Sequence, residues 1–218
     1  DVEFLRANTG RQIKATLPGP FTMSEQAEDI YYKDPEALAM AYGEAVNAEM
    51  RDLFAAGADV VQIDEPFVQA RPDNARAYAI PAIDKALEGI KGTTALHLCM
   101  GYAAMIKQRY DAYHFLTELA ECTVDQISLE TAQPDLDLSV LGELSGKDII
   151  LGVINMDDMA VEAPETVAER IERAYPHVPP ERIIPAPDCG FKYIARDISF
   201  AKLQALVAGA DLARSRLS

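Results

Sequence analysis

Tryptophan is absent from these 218 residues, cysteine and histidine occur three times each, and lysine plus arginine number 20 against 35 acids. Each shortage excludes something. Three cysteines (Cys99, Cys122 and Cys189) are too few and too odd in number for the disulfide framework of a secreted domain. The chain as it stands shows no secretory h-region and no apolar run of membrane length, so the expected compartment is a reducing cytoplasm, with thiols free, buried or metal-bound. A net charge of −15 argues against general binding to nucleic acid or to an anionic membrane. Most of the acids fall in expected helices such as PETVAERIERAY, which reads as a solvated acidic surface. No strand is followed by a glycine-rich GxGxxG turn, which weakens any dinucleotide-binding reading.

What is present is a repeated alternation. QIKATLPGP (12–20), ADVVQIDEP (58–66), TTALHLCM (93–100), VDQISLE (124–130), DIILGVINM (148–156) and ERIIPAPDCG (181–190) read as strands. Helical patterns follow them. The clearest runs from about Pro35 to Ala56, with Leu38, Ala41, Val46, Met50 and Leu53 near helical spacing. Further helices are expected after 66 with an interruption at Pro81, over DAYHFLTELAEC, over LSVLGELSG with a glycine stop, over PETVAERIERAY, and over the long final stretch DISFAKLQALVAGADLARSRL. The strands are apolar on both sides, as for a parallel sheet buried on both faces. Such an α/β chain is either a doubly wound sheet or a TIM (β/α)8 barrel.

Polar residues decide between them. Asp64 and Glu65, His97 and Cys99, Glu130, Asn155 and Asp157, and Asp188 and Cys189 all stand at C-terminal strand ends, where barrel active sites are built. A barrel needs eight strands and six are counted. The expectation is therefore one catalytic barrel domain over 1–218, N-terminally incomplete, with two βα units lying upstream of Asp1.

Four of these residues suit zinc, which takes N, S and O ligands at tetrahedral corners: His97, Cys99, Glu130 and Cys189. Residues i and i+2 of a strand face one way, so His97 and Cys99 supply adjacent corners. Glu130 ends the next strand, and Cys189 ends the last. The bland alternative is that each is packing, since a lone buried cysteine is more often a small apolar filler. Cys122 and His114, in the helix YHFLTELAEC, read as packing or surface, and His177 as loop surface.

IDEP, HLC, SLE and PDCGFK, in this order and each ending a strand, together with LPGPFTM before them, resemble the catalytic barrel of the cobalamin-independent methionine synthase family. The resemblance covers essentially the whole chain. It implies a zinc-dependent methyltransferase in which His97, Cys99, Glu130 and Cys189 bind Zn2+, the metal binds the thiol of homocysteine, and Asp64 contacts the substrate amino group. Methionine is the implied product, and methyl-folate or a methylcobalamin carrier the implied donor. Two thiolates and a carboxylate outweigh a divalent cation by one charge, which keeps a metal-held thiolate electron-rich. A purely structural zinc fits less well, because such sites favour closed, cysteine-rich shells. The related epoxyalkane:coenzyme M transferase, which alkylates another thiol with similar zinc chemistry, is the alternative activity. A barrel without catalysis, serving as a binding protein, is the alternative of another class.

The chain departs from the family in two places. Where folate-dependent members carry a proton-donating histidine after the seventh barrel strand, LGVINMDDMAVE places Asp157. An aspartate serves there as acid only if burial or a like charge such as Asp158 raises its pKa. Otherwise these aspartates form a turn or a cap. The second departure concerns the folate: the family's pterin-stacking aromatics and its first two barrel strands, which also anchor the amino acid, are expected upstream of the region seen here, which leaves the methyl donor open between folate and methylcobalamin.

Overall fold

The computed structural model describes residues 1–100, 113, 115–134 and 136–217. Among the described residues there are six strands: β1 (Lys14–Pro18), β2 (Val60–Asp64), β3 (Thr93–Leu98), β4 (Gln126–Leu129), β5 (Asp148–Ile154) and β6 (Ile183–Pro187). They form one sheet in the order β1-β2-β3-β4-β5-β6. The β1–β2, β2–β3 and β5–β6 pairs are parallel. A strictly sequential order has no point at which winding reverses, so the doubly wound alternative falls away. What is left is a run of βα units as in a barrel wall.

By density of internal contacts the chain divides into two compact units, Asp1–Leu98 with His114–Ile127, and Cys99–Tyr113 with Ser128–Ser218. In the first, α1 (Val2–Asn8) precedes β1, and α2 (Pro20–Gln26) and α3 (Pro35–Ala55) follow it. Asp34 starts α3 by accepting from the amides of Glu36 (3.0 Å) and Ala37 (3.3 Å), with Pro35 in the first turn, as helix starts require. After β2 come α4 (Pro66–Ala70) and α5 (Pro72–Leu87). Pro81 does not interrupt α5, contrary to expectation. It is exposed, as is Ala77 four residues earlier, so water can satisfy the carbonyl that Pro81 leaves without an amide. Phe21, Met50, Val61, Ile63, Ile83, Leu96 and Leu119 form the fully buried centre of this unit.

The helix expected over DAYHFLTELAEC is described only as α6 (Leu116–Leu119), and His114 lies outside the described residues. In the second unit a 3-10 turn, Leu138–Glu143, takes the place of the expected short helix, with Gly146 at φ 83° ending the segment. α7 (Pro164–Glu172) follows β5, and α8 (Arg196–Arg216) follows β6. Ile149, Leu151, Val153, Ile154, Val167 and Ala168 are buried between them.

The central strands are buried nearly throughout, as expected, but β1 is not. Lys14, Thr16 and Pro18 are exposed and alternate with half-buried residues. Ile184 on β6 is 39% exposed. These are the outermost strands of the order, with a neighbour on one side only. No helix among the described residues is long and apolar enough to cross a membrane.

Candidate metal centre

Polar residues stand at the C-terminal ends of five of the six described strands, β2 to β6. β3 carries His97 as its penultimate residue, with Cys99 just beyond, and both are buried. Glu130 directly follows β4 and is fully buried, and Cys189 lies two residues beyond β6. Each of the four offers one ligand atom, and these atoms all lie within 4.8 Å of one another. The Sγ atoms of Cys99 and Cys189 are 3.6 Å apart and both thiols are free. That is far beyond a disulfide bond of about 2.05 Å. It is close to the sulfur–sulfur edge of about 3.8 Å that two zinc–sulfur bonds of ~2.3 Å subtend at a tetrahedral corner. A donor set of imidazole, carboxylate and two thiols with that spacing fits zinc.

Glu130 is held by hydrogen bonds to both its carboxylate and its backbone. Glu130 Oε1 accepts from the Met100 amide (3.0 Å), and Oε2 from the side-chain amide of Gln133 (3.2 Å). The Tyr113 hydroxyl accepts from the Glu130 amide at 2.8 Å and donates to its carbonyl at 3.5 Å. Burial, and then the Glu130 charge, raise the Tyr113 phenol well above its usual range, so it keeps the proton this geometry needs.

Asp188 is 1% exposed, and its carboxylate accepts four hydrogen bonds from backbone amides. Its Oδ1 accepts from the amides of Thr131 (3.2 Å) and Ala132 (3.1 Å), its Oδ2 from Ala132 (3.2 Å) and Gln133 (2.7 Å). Burial pushes its pKa up to about 6, against the pull of those amides and of Arg170. Gly152 makes room for it. A Cβ there would lie 2.2 Å from Asp188 Oδ1 and 2.8 Å from the Leu129 carbonyl.

In the first unit, Asp64 ends β2 in register with His97. Lys14 Nζ donates to Gln62 Oε1 (2.6 Å), and Gln62 Nε2 donates to Asp64 Oδ1 (2.8 Å), a chain that orients the carboxylate. The next residue, Glu65, is fully buried and accepts from the amides of Phe21 (3.0 Å) and Thr22 (2.7 Å) at the start of α2. Burial raises its pKa to about 7 in spite of these donors. Gly19 is required beside it, since a Cβ would sit 2.2 Å from Glu65 Oε1. The β1–α2 turn is thereby tied to the end of β2.

Asp157 is exposed on the loop after β5, and its amide donates to Asn155 Oδ1 at 2.7 Å. Asp158 accepts from the Ala160 amide at 2.9 Å. Cys122 is buried and is not one of the four grouped residues, and His177 is exposed. Sequence reasoning assigned no role to Asp188, Gln133, Tyr113 or Glu65. Asp188 and Glu65 were visible as polar strand-end residues, and Gln133 as the residue three after a ligand.

Sequential βα units whose strand ends carry side chains that could hold a metal ion define an α/β protein of the TIM-barrel class. The chain belongs to the cobalamin-independent synthase family, whose catalytic-domain pattern matches residues 3–212. It is 33% identical over 221 residues to the methionine synthase of Thermococcus kodakarensis, covering 100% of this chain and 62% of that protein. To the methionine synthase of Sulfurisphaera tokodaii it is 31% identical, with 99% and 62% covered. The chain thus spans about three fifths of the length of the curated relatives it matches. Among solved structures it superposes with a TM-score of 0.92 and 32% identity on a B12-independent methionine synthase from Shewanella sp. W3-18-1 in complex with selenomethionine, covering 100% of this chain and 66% of that one. A methyltransferase from Methanosarcina mazei shares the fold at a TM-score of 0.76 and 19% identity, with 97% and 62% covered.

Proposed function

We propose that this chain is a catalytic domain of a cytoplasmic, zinc-dependent methyltransferase that moves a methyl group to the thiol of homocysteine, making methionine. The observation that carries the reading is the convergence of His97, Cys99, Glu130 and Cys189 within 4.8 Å in a member of this family. The Shewanella relative, solved with the selenium analogue of methionine, supports a product of that shape.

His97, Cys99, Glu130 and Cys189 would hold Zn2+. Zinc bound there lowers the pKa of a thiol that joins it, so that the thiolate is populated near neutral pH. Asp64 binds the substrate ammonium, held in place by Gln62 and Lys14. Lys14 is exposed as a residue, but its ammonium end loses enough water beside Gln62 to become less basic, an effect Asp64 partly offsets. The sulfur of homocysteine takes the methyl group as the donor's bond to carbon breaks. With methyl-folate the leaving amine needs a proton, and Asp157, exposed but with the like charge of Asp158 beside it, is the group proposed to supply it; with methylcobalamin no such proton is needed.

The test is metal analysis of the full-length protein followed by a panel of thiols and donors. The expected result is near-stoichiometric zinc and turnover of homocysteine with methyl-folate or methylcobalamin, with His97→Ala losing both metal and activity. Zinc-free protein, or His97→Ala that behaves as wild type, removes the reading. Turnover of coenzyme M in place of homocysteine would redirect it to the alternative thiol. For the proton donor, Asp157→Asn is expected to slow transfer from methyl-folate by about 10²–10⁴-fold while zinc stays bound. An unchanged rate takes Asp157 out of the mechanism.

A further inference from the structure

We infer that Asp188 is a positioning residue that sets two of the ligands, Glu130 and Cys189, at metal-binding distance by gripping the peptide segment that follows Glu130. The inference rests on the zinc reading of the site and adds a residue to which that reading gives no role.

A carboxylate has about four lone-pair directions to offer. Asp188 directs all four of its contacts to three consecutive amides, Thr131, Ala132 and Gln133. Successive backbone N–H groups pointing one way make an anion-binding concavity. Here a side chain from the end of β6 fills it. The segment it grips begins one residue after Glu130, and Asp188 itself is one residue before Cys189. One carboxylate therefore sets the spacing of two ligand-bearing strand ends. The Asp188 backbone is fixed in turn, its amide donating to the Ile154 carbonyl at 3.1 Å.

Gln133 extends the grip to the ligand atom. Its amide makes the shortest of the four contacts, 2.7 Å. Its side chain then donates to Glu130 Oε2 (3.2 Å) and accepts from the Met156 amide (3.1 Å). Thr131 closes the same segment onto β5 by donating its hydroxyl to the Gly152 carbonyl at 2.6 Å. Loss of the Asp188 carboxylate would release the segment that holds Gln133 against the Glu130 oxygen. A residue that only stabilised the fold would not act on the ligand atoms in this way.

Asp188→Asn keeps the size of the side chain but turns one acceptor into a donor facing amide donors. The full chain is loaded with zinc and with cobalt, and three quantities are read: zinc affinity by competition with a chelator, the visible cobalt spectrum, and the far-UV circular dichroism of the metal-free protein. The expected result is a weakening of zinc affinity of roughly 10–100-fold, as for other groups that orient metal ligands. The cobalt bands should change in intensity or position while the metal-free fold is retained. Should Asp188→Asn fail to fold, Asp188→Ser, which keeps one acceptor and leaves room for water, is read in the same way. A variant with wild-type zinc affinity and cobalt spectrum and only a lower melting temperature would overturn the inference and leave the zinc site standing. Wild-type protein that takes up no zinc would overturn both.

Discussion

Cys189→Ser is expected to lose zinc and, with it, methyl transfer. Serine matches cysteine in shape but its hydroxyl keeps its proton at neutral pH, so the site loses a soft anionic ligand and one end of the 3.6 Å sulfur–sulfur edge. Outer groups that merely orient ligands are worth about 10–100-fold in metal affinity, so deletion of a ligand should weaken zinc by more than about 100-fold. The substrate thiol then keeps its ordinary pKa of about 8.5 and is only a few per cent ionised at pH 7. Two measurements check this. Chelator competition reads the affinity directly. Thermal melts with and without zinc read it again, because a ligand at about 100 times its dissociation constant stabilises the native state by ~2.7 kcal/mol. Wild type should show that increment and Cys189→Ser should not. Cys189→Ser that retains zinc and turnover would mean that the two thiols are packing, the bland reading their spacing argues against.

That site could be traced in the sequence because each of its ligands terminates a strand, and strand ends are marked by a change from apolar to polar residues. QISLE and TALHLCM carry their own register: period-two side-chain alternation puts His97 and Cys99 on one side, and the position of Glu130 follows from the end of β4. Local pattern alone is the same for doubly wound and barrel sheets, and only the polar residues at the strand ends favour the sequential order of a barrel. What could not be foreseen is contact between distant backbone and side chain. Asp188 reaches amides 55 to 57 residues away, and nothing in PDCG announces that Thr131, Ala132 and Gln133 will present three N–H groups to it. The same holds for Glu65, which is adjacent to the assigned Asp64 but serves α2. Pro81 differs from expectation for a simpler reason: a proline costs a helix less where the carbonyl it strands faces water, and local pattern does not say which face is exposed.

Gly152→Ala should produce the largest loss of stability of any single methyl group in the second unit. Inside an ordinary strand, alanine is better than glycine by about 0.5–1 kcal/mol, because glycine loses more backbone freedom on folding. At position 152 the sign should reverse. The added Cβ would lie 2.2 Å from Asp188 Oδ1, 2.8 Å from the Leu129 carbonyl and 2.9 Å from Asp188 Cα. The carboxylate could swing aside only by giving up the amides of Thr131 and Ala132, and the other two atoms are backbone on both neighbouring strands. β5 has little slack to retreat, since its pairing with β6 already shifts register between Gly152 and Ile154 and its Gly152 carbonyl is held by Thr131. Overpacking of this kind costs typically about 1–3 kcal/mol and occasionally more, and contact with backbone on both sides places Gly152→Ala at or beyond the top of that range. A urea titration would show a lower midpoint at unchanged slope. Zinc affinity should fall in the same variant, because the atoms that must move are those that space Glu130 and Cys189. A neutral or stabilising Gly152→Ala would mean that the strand ends approach less closely than these distances require, and the glycine would then owe nothing to the seat of Asp188.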